Sequence, residues 1–148
     1  MLSEVSYLRE RYPGCRISVF TYDSKSTLIP RDWGVRYFSY FPNGLRARFW
    51  ANVGYFFRTF WEVFRSDLVV VGGGGILYDN EGQSFFKQRM QWKFRVNAAK
   101  LFGKRVLFWG IGVDLSQKNV LKIRSLFTHP RTTVTVRDPK SAKLLDAV

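Results

Sequence analysis

The spacing of hydrophobic and polar residues predicts a helix followed by two short strands at the start of the chain. Apolar residues recur every three or four positions over residues 2–12, and Pro13-Gly14 then interrupt the pattern, which predicts an opening helix. Residues 15–21 alternate and are rich in β-branched side chains, so they predict a strand. Residues 34–40 predict a second, shorter strand.

Residues 46–65 predict a strongly amphipathic helix. Its large apolar residues fall on one stripe, which consists of Phe49, Trp50, Val53, Phe56, Phe57, Phe60, Trp61 and Phe64. Arg48, Arg58 and Arg65 avoid this stripe, and charges at such regular intervals exclude a transmembrane span. The stripe is wide enough to cover one face of a sheet, so we expect it to be buried in the core. Insertion into a membrane surface is the alternative.

Three further apolar segments predict strands that alternate with helices. Residues 67–71, 104–109 and 132–136 have the composition of strands buried on both faces. Helices are predicted between them, and Asp138-Pro139 starts a last one as an N-cap followed by an N1 proline. This alternation implies right-handed crossovers. The predicted fold class is α/β, a Rossmann-like parallel sheet with flanking helices, and residues 1–148 are expected to form a single domain.

The composition shows a strong positive charge, and it excludes an internal disulfide and a zinc site. Lys+Arg 24 against Asp+Glu 11 leaves a net charge of +13, which implies attraction to phosphates, anionic lipid headgroups or acidic saccharides. Cys15 and His129 are the single cysteine and the single histidine, so an internal disulfide and a zinc site are excluded. No metal or other cofactor is predicted. The first residues lack the pattern of a signal peptide, and a cytoplasmic location is expected.

Two of the predicted strands run directly into glycines. The glycines are Gly72, Gly73, Gly74 and Gly75 after the first strand, and Gly110 and Gly112 after the second. Ligands of parallel sheets bind beyond the carboxyl ends of the strands, so both glycine turns are expected to face one crevice. An isolated glycine is explained by the need for a tight turn. A run of glycines also leaves backbone N–H groups uncovered, so that they can bind a phosphate or a carboxylate. Neither run has the spacing of a dinucleotide fingerprint or of a Walker A loop.

The end of the third predicted strand adds charged groups to the same rim. Arg137 and Asp138 follow residues 132–136 directly. Helix capping accounts for Asp138. Arg137 is expected either to pair with a carboxylate such as Asp79 or Asp114, or to meet an anionic ligand.

In order and spacing, these segments resemble the polysaccharide pyruvyl transferase family. The segments are DLVVVGGGGILYD at 67–79, GKRVLFWGIG at 103–112 and TVRDPKS at 135–141. The resemblance implies one half of a GT-B-like, two-domain enzyme that moves the enolpyruvyl unit of phosphoenolpyruvate onto a sugar, as a ketal, during assembly of exopolysaccharide or cell-wall polymers. It implies a substrate-binding rim made of Gly72, Gly73, Gly74, Gly75, Asp79, Gly110, Gly112, Arg137 and Asp138.

The same resemblance assigns no catalytic residue within this chain. Members of the family usually open with a strand before their first helix, whereas this chain opens with the helix. Donor-binding arginines and a histidine are expected in a second domain, so that residues 1–148 alone would be the N-terminal domain and inactive. The expected partners are a saccharide or lipid-linked saccharide acceptor, the phosphoenolpyruvate donor through that second domain, and an anionic membrane surface.

Two functions without catalysis stay open beside the transferase. Aromatic residues interleaved with arginines between residues 31 and 65 suggest a nucleic-acid-binding module. Their helical spacing argues against it, because stacking platforms need rings exposed on a sheet or in a groove. A membrane-surface binding domain is the second, and it is compatible with the transferase.

Overall fold

The chain divides into two compact units, Met1–Glu62 and Val63–Val148, in the computed structural model. The structure describes residues 2–21, 33–39, 49–78 and 85–146. Both units combine helices with parallel strands, which confirms the predicted α/β class. The expectation that residues 1–148 form one domain stays a prediction.

The first unit contains a two-stranded parallel sheet and two helices. Its elements are α1 (Leu2–Arg11), β1 (Ser18–Thr21), β2 (Arg36–Ser39) and α2 (Phe49–Arg65), whose last residues belong to the second unit. The register of the sheet runs from Ser18 opposite Arg36 to Thr21 opposite Ser39. These elements confirm the predicted opening helix and both short strands, although β1 is shorter than expected.

The second unit alternates strands and helices. Its elements are β3 (Leu68–Tyr78), α3 (Phe85–Leu101), β4 (Arg105–Asp114), α4 (Gln117–Phe127), β5 (Thr132–Val136) and α5 (Pro139–Asp146). The strand order is β3-β4-β5, and both pairings are parallel. The three carboxyl ends therefore meet at one edge of the sheet, as the apolar runs predicted.

The core of the second unit is centred on β4. Val106, Phe108 and Ile111 of this strand are almost completely buried, as expected for a central strand of a parallel sheet covered on both faces. The Phe108 ring lies 4.9 Å, centroid to centroid, from the Phe127 ring of α4. Ile123 of α4 is also fully buried.

β3 extends well beyond its predicted end. Gly72 pairs with Trp109, Gly74 with Ile111 and Gly75 with Gly112, so the glycine run lies inside the strand. Among the described residues, the glycines with positive φ lie elsewhere. The prediction of a strand-to-helix turn at residues 72–75 was therefore wrong. Glycine disfavours a strand only weakly, and pairing with β4 outweighs that local preference.

The buried side of α2 is not the aromatic stripe that was expected to enter the core. Tyr55, Thr59 and Val63 are buried, whereas the side chain of Phe57 is 74% exposed and that of Trp61 is 57% exposed. The expectation of core burial was wrong for these two rings, while the side chains at residues 49–52 lie outside the described part. Within the ranges that the structure describes, every helix falls short of the length or apolar content needed to cross a bilayer.

Polar contacts explain which side of α2 faces inward. Glu62 accepts hydrogen bonds from the Ser18 hydroxyl and from the Arg36 guanidinium, each at 2.7 Å. Residues 55, 59 and 62 are spaced by four and three positions, so they share one side of the helix. Anchoring Glu62 to the sheet turns Phe57 and Trp61 toward the opposite side.

Candidate functional site

The predicted site residues of β3 and β4 do lie side by side at the carboxyl edge of the sheet. Gly75 pairs with Gly112, and Tyr78, three positions after Gly75, pairs with Asp114, two positions after Gly112. Sequence reasoning assigned these glycines to turns beyond the strands, whereas they lie inside β3 and β4. Their part in substrate binding stays a prediction. Asp79 lies outside the described residues.

Paired glycines leave part of this edge without side chains. Gly74 lies opposite Ile111, and Gly75 lies opposite Gly112. Because glycine has no Cβ, these positions add no side chain of their own to either face of the sheet. The glycine run is therefore a part of the strand without side chains rather than a turn.

Gly110 has a separate structural explanation. Its φ is 57°, and the register between β4 and β5 shifts between Phe108 and Ile111. This geometry is a β-bulge with a left-handed residue, a position that favours glycine. The Gly110 N–H donates to Thr135 Oγ1 at 2.8 Å, and this contact ties the bulge to β5. Bulges redirect the residues that follow them, which here are the last residues of β4.

The guanidinium of Arg137 lies across Gly112. A Cβ placed on Gly112 would be 2.6 Å from Arg137 Nε and 2.8 Å from Cζ. The backbone N–H of Arg137 donates to the Ile111 carbonyl at 3.2 Å, which holds the residue beside β4. Its side chain remains 58% exposed, and Nε lies 3.3 Å from Asp138 Oδ2. The Arg137 side chain can thus occupy this position because Gly112, on the neighbouring strand, has no side chain.

Asp114 is not the partner of Arg137, contrary to one of the alternatives that the sequence suggested. Its Oδ1 instead accepts a hydrogen bond from Lys140 Nζ at 2.8 Å. That hydrogen bond and the Asp114 charge raise the pKa of Lys140 above its ordinary value. Sequence reasoning missed Lys140, although its position in the first turn of the helix after Arg137 was the available signal.

Asp138 caps α5, as its sequence position predicted. Oδ1 accepts from the Ser141 N–H at 2.8 Å, and Oδ2 accepts from the Ser141 hydroxyl at 2.9 Å. The backbone N–H of Ser141, followed by the Ser141 hydroxyl and Arg137, lowers the pKa of the Asp138 carboxyl below its ordinary value. Both oxygens are engaged within the fold, which favours a positioning role for Asp138 over direct contact with a ligand.

Ser141 links this cap to the end of β4. Its hydroxyl oxygen accepts a hydrogen bond from the Val113 N–H at 2.9 Å, and the residue is buried. Sequence reasoning missed Ser141. The signal that could have found it is a polar residue three positions after an N-cap, the spacing of a capping box.

The edge combines two exposed cations with carboxylates that are already paired. Arg137 and Lys140 carry the positive charges, while Asp138 and Asp114 are hydrogen-bonded within the fold. A guanidinium held flat against backbone is well suited to bind a carboxylate or a phosphate through two parallel hydrogen bonds. Within the described part of the chain, no cluster of histidine, cysteine and acidic residues could hold a metal ion.

Comparison with models of protein families identifies a family for this chain. The model of the polysaccharide pyruvyl transferase family matches residues 1–147, which extends the resemblance from the motif-bearing segments to almost the whole chain. No curated protein and no solved structure matches the chain. The strand order, the glycine-rich edge and this match lead to one conclusion: the chain belongs to the polysaccharide pyruvyl transferase family.

Proposed function

We propose that this chain is the N-terminal domain of a transferase that adds pyruvate from phosphoenolpyruvate, as a ketal, to a sugar of a cell-surface polysaccharide or of its lipid-linked precursor. The observation that carries the proposal is the family match over residues 1–147. The family implies a polysaccharide acceptor. The donor, the lipid-linked form of the acceptor and the GT-B-like second domain are parts of the proposal.

The proposed reaction involves no oxidation or reduction. Two hydroxyl groups of one sugar add to C2 of phosphoenolpyruvate, so two C–O bonds form there. The C2–O bond to phosphate and the C=C π bond break. One hydroxyl proton ends on the former methylene carbon, which becomes a methyl group, and the other ends on the departing inorganic phosphate. The reaction therefore needs binding, orientation and proton transfer rather than a redox cofactor.

In this proposal the carboxyl edge of the β3-β4-β5 sheet receives the acceptor. The glycines of β3 at residues 74 and 75 add no side chain to this edge, and they lie beside Gly112, over which the Arg137 guanidinium is placed. Arg137 presents its guanidinium to an anionic group, such as the carboxylate of the ketal or of an acidic sugar. Residues that bind the donor and transfer protons are assigned to the second domain.

The test is an assay for the pyruvylated saccharide by mass spectrometry, together with release of inorganic phosphate. We expect no turnover by the purified 148-residue chain, and turnover when it is joined to a second Rossmann-like domain encoded by the same reading frame. Turnover by the 148-residue chain alone would contradict the two-domain part but support pyruvyl transfer. Phosphate release without a pyruvylated product would contradict the transferase.

A cytoplasmic position at the inner membrane surface is part of the same proposal. There the enzyme would meet lipid-linked saccharides before they are exported. The net charge of +13 supports this position, because anionic headgroups attract basic domains.

A further inference from the structure

The exposed part of α2, outside the side that is buried against the β1-β2 sheet, carries three rings and one arginine. We name this set the α2 outer face, and it consists of Phe56, Phe57, Arg58 and Trp61. All four residues are exposed. Phe57 and Trp61 are four positions apart, so their rings are neighbours on the helix surface.

The outer face carries positive charge and no negative charge. Glu62 is the one acidic residue in the sequence of α2, and its side chain is only 11% exposed. Its carboxylate is bound by Arg36 and Ser18 on the inward side of the helix. Glu62 lies four positions after Arg58, but because Arg36 and Ser18 bind its carboxylate, the α2 outer face itself carries no negative charge.

Arg58 lies at the border between the α2 outer face and the β1-β2 sheet. Its guanidinium carbon lies 5.1 Å from the centroid of the Phe38 ring of β2, within the range of a cation–π contact. The Arg36 guanidinium lies 5.6 Å from the same centroid. The Phe38 ring thus holds two guanidiniums at one border of the α2 outer face.

We propose that the α2 outer face binds the surface of an anionic lipid bilayer, with Phe57 and Trp61 inserted between headgroups and Arg58 at the level of the phosphates. A helix that pairs exposed rings with cations is the typical form of an interfacial membrane helix, and tryptophan prefers the headgroup region. The charge of +13 gives the long-range attraction to such a surface. This inference rests on the membrane-surface position in the proposed function and names the face that would reach the bilayer, while its test does not require transferase activity.

The chemistry of the face favours a bilayer over nucleic acid. Base stacking uses rings that line a groove or the surface of a sheet, whereas Phe57 and Trp61 project from the outside of a helix. Membrane insertion instead requires only that the rings protrude, and their exposure satisfies this condition.

The test is cosedimentation of the 148-residue chain with vesicles of phosphatidylcholine alone and with vesicles that also contain phosphatidylglycerol. We expect binding to the anionic vesicles at low salt and weaker binding as salt rises, because salt screens the attraction. Phe57→Ser and Trp61→Ser should each weaken vesicle binding by roughly tenfold, since each removes the burial of one large ring. Both variants should keep the circular dichroism spectrum and melting temperature of the wild-type chain.

Leu121→Ser is the matched control. Leu121 is an apolar residue on α4 that is 60% exposed, but it has no part in the α2 outer face. Its replacement should leave vesicle binding unchanged. An equal loss in Leu121→Ser and Phe57→Ser would overturn the proposal, because binding would then follow general surface hydrophobicity.

Three other outcomes would also overturn it. The first is the absence of vesicle binding by the wild-type chain. The second is that the wild-type chain forms a dimer and does not bind vesicles, while Phe57→Ser is a monomer. This result would assign the face to contact with a second copy of the chain. The third is binding to a single-stranded oligonucleotide that Phe57→Ser abolishes while vesicles are not bound.

Discussion

Arg137 occupies the space that a side chain on Gly112 would fill. The contact joins β4 to the residue that follows β5, and a Cβ on Gly112 would approach Arg137 Nε to 2.6 Å. The absence of a side chain at Gly112 is thus what allows the guanidinium to lie flat at the carboxyl edge of the sheet. In the proposed enzyme, this contact would fix the direction in which an anionic group is bound.

Replacing Gly112 by alanine should therefore displace the Arg137 side chain with little loss of fold. The clash involves the end of a flexible, exposed side chain, so we expect the free energy of unfolding to change by less than about 1 kcal/mol. Activity of the two-domain enzyme should fall about tenfold or more, as expected when a charged hydrogen bond is lost. The measurements are thermal unfolding and kcat/KM.

Gly54→Ala is the matched control for that variant. Gly54 lies in α2, and beyond its chain neighbours and the backbone of its own helix no atom lies within 4 Å of the place where its Cβ would be. Full activity in both variants would contradict a role for the position of Arg137. Reduced activity in Gly112→Ala alone would support it.

Gly110→Ala should instead destabilise the fold. The φ of 57° lies in the left-handed region, where a Cβ costs about 1–2 kcal/mol. Gly110→Asn should cost less, because asparagine tolerates that region better. Chemical denaturation of the three proteins measures this order, and equal stability of all three would contradict the strained bulge.

The fold class could be predicted from the sequence because burial on both faces requires continuous apolar runs. The strand at residues 104–109 is a clear case, since Val106 and Phe108 are almost completely buried. The capping of α5 by Asp138 was also accessible, because an N-cap and an N1 proline form a local signal. These features depend on neighbours in sequence or on simple periodicity.

The end of β3 and the orientation of α2 were not accessible in this way. Glycine signals a turn locally, but pairing with β4, about 37 residues away in sequence, decides that Gly72–Gly75 continue the strand. The inward side of α2 depends on Glu62 meeting Ser18, 44 positions earlier, and Arg36, 26 positions earlier. Periodicity shows that a helix is amphipathic, whereas such distant polar contacts decide which residues turn inward.

Phe57→Ala should leave stability nearly unchanged, contrary to what a core position would show. The side chain is 74% exposed, so we expect a change within about 0.5 kcal/mol. Phe108→Ala is the contrasting variant, because its ring is buried in the core and its removal should cost about 3–5 kcal/mol. Urea denaturation of both variants gives the comparison. A large loss in Phe57→Ala would contradict its exposure.

Ser141→Ala should destabilise the second unit by about 1–3 kcal/mol. The variant removes the acceptor of the Val113 N–H, a group that has no access to water in the fold. It also removes one of the two hydrogen bonds to Asp138. Ser141→Thr keeps the hydroxyl and is the control. Hydrogen exchange at the Val113 amide should speed up in the alanine variant, and unchanged exchange would contradict the contact.

Asp138 should make the free energy of unfolding depend on pH in the acidic range. The pKa of its carboxyl is lower in the fold than the ordinary 3.8, first because of the Ser141 N–H. A carboxyl with a lowered pKa contributes stability that is complete above 3.8 and is lost as pH falls through the folded-state pKa. Asp138→Asn still caps the helix but does not titrate, so its deficit in unfolding free energy relative to wild type should shrink as pH falls below about 4. The measurement is urea denaturation of both proteins from neutral pH downward, and a deficit that stays constant would contradict the shift. Repulsion among the chain's positive charges is similar in the two proteins in acid, since both then carry a neutral group at residue 138.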